Sequence, residues 1–404
     1  MRAIGRDPLW IRAGDGAELV DVDGNRYVDY VCSWGPLIHG HAHPRIVDAV
    51  CEAARSGMSF GAPTEGELLL AQEIAARMQS VEMVRSTSSG TEASMTAIRL
   101  ARAATGRRAI IKFAGAYHGH LDSLLAEAGS GVATAAAGRS VPASPGVTEG
   151  AAEDTIVSPW NDSRALEEAA EWAAERGGLA AIIAEPLPAN MGLVPPQDGF
   201  LQEVREVAAR CGALLILDEV ISGFRVARGG AQQLLGVSAD LTIMGKVIGG
   251  GLPAGAVGGP AELMGMLAPE GEVYHAGTLS GNPLAVAAGL ASLSMLDEDA
   301  YMRLAATTEK LANLLAAAAG DRPVQVVSCP GLLTVFFSER PVRSFADAKA
   351  CDLDAYGRWC RGLLSRGVYP PPSQFEAWFP SLAHQQEQLE RTASAAEESF
   401  RELE

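Results

Sequence analysis

Short, uninterrupted apolar runs separated by helical patterns predict an α/β fold, with a mostly parallel sheet covered by helices on both faces. Four runs carry this prediction: Ala109-Ile110-Ile111, Ala180 through Ala184, Ala213 through Leu217, and Leu241 through Met244. Strands that are apolar on both sides belong in parallel sheets buried under helices. Three of the runs end in charge: Glu185, Asp218 and, two residues past Met244, Lys246. Ligands of such sheets bind beyond the carboxyl ends of the strands, so a site is expected there.

The other elements follow in chain order. Residues 15–31 alternate polar and apolar around Asp23-Gly24-Asn25, a hairpin signal. A helix is expected from Pro44 to Ser56, with Ile46, Ala49 and Val50 on one face. Another is expected from Glu65 to Met78, with Leu69, Ile74 and Met78 inward. Residues 129–150 are rich in Gly, Ala, Ser and Pro and read as a mobile loop or lid. A long helix should run from Pro283 to Leu296, followed by a segment with its own strand, Leu332 to Phe337, and a charged final helix from about Gln385. The division this implies is an N-terminal segment (1–60), a large domain (61–296) and a smaller C-terminal α+β domain (297–404).

Composition narrows the partners. The chain has 404 residues, 48% hydrophobic and 20% charged, enough for a large core. Its formal charge of −17 argues against nucleic acid and anionic membrane, which require a basic face. It leaves room for a small anion held by backbone dipoles. No run approaches the ~20 apolar residues of a membrane helix, and the N-terminus has no apolar signal core; a cytoplasmic protein is expected. The six cysteines form no CxxC pair and read as reduced core residues. His39, His41 and His43 alternate with small residues, but without a spaced acidic partner no metal is expected.

Only four lysines are present: Lys112, Lys246, Lys310 and Lys349. Lys246 follows an apolar strand and precedes Val247-Ile248-Gly249-Gly250-Gly251-Leu252-Pro253. An amine enclosed by apolar side chains and glycine backbone has a depressed pKa and becomes nucleophilic near neutrality; the plainer reading is a surface lysine at a strand end. Lys310 and Lys349 lie in charged helical contexts, and Lys112 lies in a strand-like run. Asp218 could pair with a protonated pyridine nitrogen or simply cap a helix. Asp218-Glu219 also suggests a nucleotide-site acid pair, but no GxxxxGK[ST] completes it. Ser89-Gly90-Thr91-Glu92-Ala93 opens a helix that Ser88 or Ser89 can cap, leaving free N–H groups as a phosphate seat or only an ordinary capped helix. Tyr117-His118-Gly119-His120 puts a flat ring after a strand and turn, fit for stacking or for a loop.

In order and combination, these segments resemble the class III, fold-type I pyridoxal-phosphate aminotransferases, over about residues 21–400. Ser33-Trp34-Gly35-Pro36-Leu37, Asn190-Met191-Gly192, Gly277-Thr278-Leu279-Ser280-Gly281-Asn282-Pro283 and Pro372-Ser373-Gln374-Phe375-Glu376-Ala377 extend the match, which is greatest to the glutamate-1-semialdehyde 2,1-aminomutase branch. The resemblance implies a seven-stranded sheet and a cofactor, pyridoxal 5'-phosphate or its pyridoxamine form. Lys246 would hold it as a Schiff base and shuttle protons, and Asp218 would face the ring nitrogen. Val220 and Tyr117 would cover the two ring faces. Ser89, Gly90 and Thr91 would hold the phosphate, joined by Thr278 from the neighbouring subunit of a homodimer. His118, Glu185 and Asn190 would line the cofactor pocket. Arg2, Trp34, Ser130, Tyr274 and Glu376 would meet the substrate. The implied reaction is an internal transamination that yields 5-aminolevulinate through a retained diamine; transfer between different molecules is the alternative, and a non-catalytic cofactor-binding protein a third. Residues 120–148 would be a gating loop. The sequence departs from the family at Ser88 (usually Asn), Ala114 (often Glu) and His275 (commonly Gln), in a longer gating segment, and in a shorter N-terminal segment where Arg2 aligns with an arginine for the substrate carboxylate.

Overall fold

The computed structural model describes residues 1–127 and 140–403. Three short strands, β1 (Ile11–Asp15), β2 (Glu18–Asp21) and β3 (Arg26–Asp29), pair antiparallel in succession. The expected turn joins β2 to β3. Asp21 accepts from the Asp23 and Asn25 amides at 3.0 and 2.8 Å, and Gly24 takes φ 91°, which favours a residue without Cβ. α1 (Pro44–Ser56) starts on a proline, whose missing N–H costs nothing in a first turn. α2 (Glu65–Arg77) is capped by Thr64, which accepts from the Glu67 amide. Its inward face carries Leu70 and Ile74. The expected Leu69 is instead 45% exposed, because Leu70, not Leu69, stands four residues from Ile74 and so shares its face.

The next strands are β4 (Met83–Thr87), β5 (Ala109–Phe113), a two-residue ladder of β6 (Ala126–Glu127) on β7 (Val141–Pro142), β8 (Thr155–Ser158), β9 (Leu179–Ala184), β10 (Leu214–Asp218), β11 (Leu241–Gly245) and β12 (Gly255–Gly259). Apart from β6 and β7 they form one seven-stranded sheet, ordered β4-β12-β11-β10-β9-β5-β8. Strands β8, β5, β9, β10 and β11 run parallel; β12 is antiparallel to both its neighbours. All four apolar runs lie in the parallel part. Their side chains alternate between two cores, as a pleat requires. Ile110, Ile183, Ile216 and Ile243 meet α3 (Gly90–Thr105) through Ala93, Ala97 and Leu100. Ile111, Ile182, Leu215 and Leu217 meet Leu166 and Val204, from helices Ser163–Ala174 and Phe200–Arg210.

The C-terminal part adds a hairpin, β13 (Gln325–Cys329) on β14 (Leu332–Phe336), and β15 (Val368–Tyr369). β15 pairs parallel with β3, so the two ends of the chain share one four-stranded sheet. Tyr30, Phe337, Trp359, Trp378 and Phe400 fill its core, with Trp359 and Phe400 stacked at 4.9 Å. The final helix spans Gln386–Arg401. The centre of the expected lid, with Ser130, lies outside the described residues; β6 and β7 flank it. All six cysteines are free; Cys32, Cys351 and Cys360 are buried, whereas Cys51 is exposed. Among the described residues no helix is long and apolar enough to cross a membrane.

Two packing features give measurable expectations. β12 passes under the start of α3 so closely that a Cβ on Gly255 would sit 2.4 Å from the Ser89 carbonyl oxygen. Gly255→Ala should destabilise the protein by about 1–3 kcal/mol, the usual cost of overpacking, read as a lower denaturant midpoint; an unchanged midpoint contradicts the contact. His384 is stacked on Tyr30 at 4.5 Å and burial lowers its pKa to about 4; burial does the same to His39, whose Nε2 bonds the Ser292 carbonyl. Both are neutral in the folded state and titrate near 6.5 when released. The unfolded chain therefore binds more protons between these values. Their contribution is complete above about pH 6.5 and is lost as pH falls toward 4. On unfolding between about pH 7.5 and pH 4.5 the two histidines should take up as many as about two protons, against an opposite drive from Glu185, Glu219 and Glu376, whose pKa burial raises; urea midpoints whose pH dependence is the same in wild type and in a His39→Gln, His384→Gln variant would refute it.

Candidate active site

A cavity of about 800 Å³ opens beyond the carboxyl ends of the central strands, lined by Lys246, Asp218 and Glu185 together. β9, β10 and β11 are free of charge until their ends, so the first charged side chain of each falls where the sheet ends. Lys246 directly follows β11 and adopts φ 48°, a left-handed conformation uncommon for a residue with a side chain. Its Nζ donates to the Trp34 carbonyl at 2.6 Å. Burial lowers its pKa; Glu376 and Asp218 pull the other way, and Arg225 adds to the lowering. Lys112 is less ordinary than its sequence context suggests. It is buried, its Nζ donates to the Leu124 carbonyl at 2.8 Å, and burial lowers its pKa to about 8. It does not line the cavity; position, not a depressed pKa alone, distinguishes Lys246.

Asp218 ends β10 with one oxygen on the Val220 amide (3.0 Å) and the other receiving His118 Nδ1 at 2.8 Å. His118 is buried, and its Nε2 has no partner. Beside it Glu185 accepts from the Tyr117 amide (2.9 Å), the Asn190 side-chain amide (2.9 Å) and the Ala189 amide (3.0 Å). Burial raises the Glu185 pKa, opposed by His118. This network ties the ends of β9 and β10 to the Tyr117-His118 loop and leaves the Tyr117 ring half-exposed at the cavity wall. Val220 is wedged between two glycines: a Cβ on Gly90 or Gly245 would come within 3.1 or 3.2 Å of its methyls.

Of the two serines considered, Ser89 caps α3, accepting from the Glu92 amide at 3.2 Å, while Glu92 accepts from the Ser88 amide at 2.6 Å. Ser88, Ser89, Gly90 and Thr91 all line the cavity, so the positive end of a four-turn helix faces it. Ser94, one turn further, is buried with an unpartnered hydroxyl.

Of the residues singled out from the sequence, the fold brings Trp34, Ser89, Gly90, Thr91, Tyr117, His118, Glu185, Asn190, Asp218, Val220, Lys246 and Glu376 to this one cavity. Glu376 has its pKa raised by burial and drawn down by Lys246. Tyr274 and Thr278 are not among its walls: Tyr274 is 72% exposed beside a separate groove with Arg99 and Glu262, and Thr278 is exposed. Arg2 opens the helical turn Arg2–Ile4, which Arg361 ties down through the Ile4 carbonyl at 2.7 Å; Ser130 lies outside the described residues. Sequence reasoning missed Ser33, Ser94, Leu187, Ile221 and Ser222 as walls. Ser94 could have been found by its four-residue spacing from Gly90. His39 and His41 serve the fold: His41 bonds Asp29 at 2.7 Å and His39 bonds Ser292; the His43 ring lies edge-on to His39 at 5.6 Å, and its Nδ1 has no partner.

The donor set fits pyridoxal phosphate. It offers an amine for an aldehyde, a carboxylate for a ring nitrogen, and the open N-terminus of a helix for a phosphate. Two buried polar atoms in the walls, His118 Nε2 and Ser94 Oγ, still lack partners.

Comparison with known proteins agrees with this geometry. The family model of class-III aminotransferases matches residues 2–392. A glutamate-1-semialdehyde 2,1-aminomutase of Desulforudis audaxviator is 53% identical, over 99% of this chain and 92% of its own. One from Desulfatibacillum aliphaticivorans is 52% identical, covering 99% and 94%. Among solved structures, an omega-transaminase from Sphaerobacter thermophilus superposes with TM-score 0.91 at 35% identity, over 98% of this chain and 91% of that one. A glutamate-1-semialdehyde-aminomutase from Pseudomonas aeruginosa in complex with PMP gives 0.87 at 28% identity, covering 98% and 88%. Motifs, sheet order and matches along nearly the whole chain agree: this chain belongs to the class-III aminotransferase family.

Proposed function

We propose that the chain is a pyridoxal-phosphate-dependent aminomutase that converts glutamate-1-semialdehyde to 5-aminolevulinate. The observation that carries this reading is the convergence of Lys246, the Asp218–His118 pair and the α3 N-terminus on one cavity, in a chain about half identical to the aminomutases named above.

Lys246 would hold the cofactor, Asp218 would face its ring nitrogen, and the first turn of α3 would seat its phosphate. When bound, the cofactor supplies an aldehyde carbon that joins an amine and a ring that draws off the electron pair of a broken C–H bond. The chain's own part is proton placement and orientation. Lys246 Nζ, its ammonium disfavoured by burial, would take a proton from one carbon and return it to another. Asp218, oriented by His118 and the Val220 amide, would hold the proton on the ring nitrogen and so keep the ring an electron sink. Val220 and Tyr117 would bound its two faces. Trp34 and Glu376 would orient the substrate, with Arg2 and Ser130 as further contacts. The enzyme would work as a homodimer, with Thr278 of the partner subunit completing the phosphate seat. Exposed Met58, Phe60, Leu68, Leu69 and Leu279 support such an interface; Gly281 lies against Glu67 of α2, which places the 277–283 segment beside that helix. Six unpaired thiols support a cytoplasmic setting, and the division at residues 60 and 296 remains part of the proposal.

A second reading is amino transfer between different molecules. It is favoured by the omega-transaminase structure, which is more alike in both identity and TM-score than the aminomutase structure.

Incubated with glutamate-1-semialdehyde and no amino donor or acceptor, the holoprotein should form stoichiometric 5-aminolevulinate; no product despite bound cofactor rejects the aminomutase, and turnover only with an added donor–acceptor pair selects the second reading. Lys246→Ala should lose the visible absorbance of the lysine-bound cofactor and about a thousandfold or more of activity, on the scale of a lost general base. Retention of both would remove Lys246 from the mechanism.

A further inference from the structure

The loop that receives the Lys246 amine is strained. Cys32, Ser33 and Trp34 take φ of 44°, 56° and 66° in succession, followed by Gly35 at 112°. Left-handed backbone is disfavoured for each of the three residues that carry a Cβ, and such conformations persist only where the surroundings over-determine them. The turn closes on itself through Trp34 N–H to the Val31 carbonyl (2.8 Å) and Gly35 N–H to the Cys32 carbonyl (3.1 Å).

Two buried charges grip its ends. At the start, Asp29 accepts from the Val31 amide at 2.8 Å and the Cys32 amide at 3.1 Å, and is itself held by His41 at 2.7 Å. At the finish, Arg225, with no exposed surface, donates through Nη2 to the Gly35 carbonyl. Its Nη1 donates to the carbonyls of Gly331 (3.2 Å) and Pro380 (3.1 Å). A guanidinium whose two terminal nitrogens bond three backbone carbonyls from distant segments, its buried Nε alone unpartnered, works as a staple. The turn also rests on the lysine stem: a Cβ on Gly35 would lie 3.4 Å from Lys246 Cδ and 2.8 Å from the Phe379 ring.

We infer that Arg225 and Asp29 are positioning residues that hold this left-handed turn so that the Trp34 carbonyl receives the Lys246 amine whenever the lysine is released from the cofactor. The inference rests on the proposal that Lys246 carries the cofactor and goes beyond it. A lysine nitrogen bonded to the cofactor carbon has lost donors that the free ammonium possesses. A carbonyl fixed 2.6 Å from Nζ therefore favours the released state and keeps the amine within reach of the reacting carbon. Glu376, Asp218, Glu185 and Arg225 all act on the charge of Lys246, so the test is made at one fixed pH.

The holoprotein is equilibrated with increasing methylamine. The amine takes over the double bond to the cofactor carbon, and its two protons pass to the departing lysine. Borohydride then fixes the cofactor on whichever nitrogen holds it, and mass spectrometry of the Lys246 peptide gives the fraction still attached. Arg225→Met and Asp29→Asn should need about tenfold more methylamine for half-release than wild type, the scale of a hydrogen bond to a charged donor; Arg225→Lys, which keeps the charge but cannot span the carbonyls, should fall between. Superimposed curves overturn the inference alone. Absence of label from wild-type Lys246 overturns the cofactor proposal and this inference with it. If Arg225→Met does not fold, Arg225→Lys and Asp29→Asn decide the matter by the same criterion.

Discussion

A lysine amine partly withdrawn from water at the end of a central strand organises what surrounds it. Burial disfavours its charged form, and the side chains around it determine how far. Glu376 and Asp218 favour the ammonium, and Arg225 opposes them from behind. The apolar strands cannot carry charge along their length, so carboxylates and amine gather where β9, β10 and β11 stop. The cavity thus follows from the sheet: the three central parallel strands end at one edge, and charged groups are excluded elsewhere along them.

A second requirement is close backbone approach around Val220. Its amide satisfies one oxygen of Asp218, and its methyls fill the space left by Gly90 and Gly245. Gly255 then lets β12 pass beneath Ser89. The helix whose N-terminus faces the cavity is therefore set in height by glycines on two different strands, and in direction by the Ser89–Glu92 cap. These contacts couple the anion seat to the carboxylate more rigidly than loop conformation alone would.

Much of this was legible in the residues because hydrophobic strands with charged ends leave a strong pattern. The hairpin, α1, four of the parallel strands and Lys246 could be read directly. β12 could not: Gly-Ala-Val-Gly-Gly has the composition of a loop, and its place in the sheet depends on the neighbours that need close approach. Leu69 was misplaced because three consecutive leucines give a helix face no internal mark. The left-handed turn at Cys32–Trp34 was invisible, since none of its residues favours that backbone and half of the restraint comes from Arg225, 190 residues from Gly35, although Asp29 stands only three residues before Cys32. Arg225 itself reads as an ordinary surface arginine until three carbonyls surround it. Resemblance supplied the roles of Thr278 and Tyr274, which lie outside the cavity of a single chain.

The small sheet is closed by β15 lying parallel to β3, Val368 against Val28 and Tyr369 against Asp29. During synthesis the first three strands emerge long before their fourth, and the aromatic rings that cover them arrive later still, with Trp378 and Phe400. Pairings so far apart in the chain form slowly. The nascent polypeptide must therefore keep Tyr27, Val28 and Tyr30 without their lasting cover until translation is nearly complete, which makes the N-terminal strands the part most exposed to chaperones and to misassociation on the ribosome.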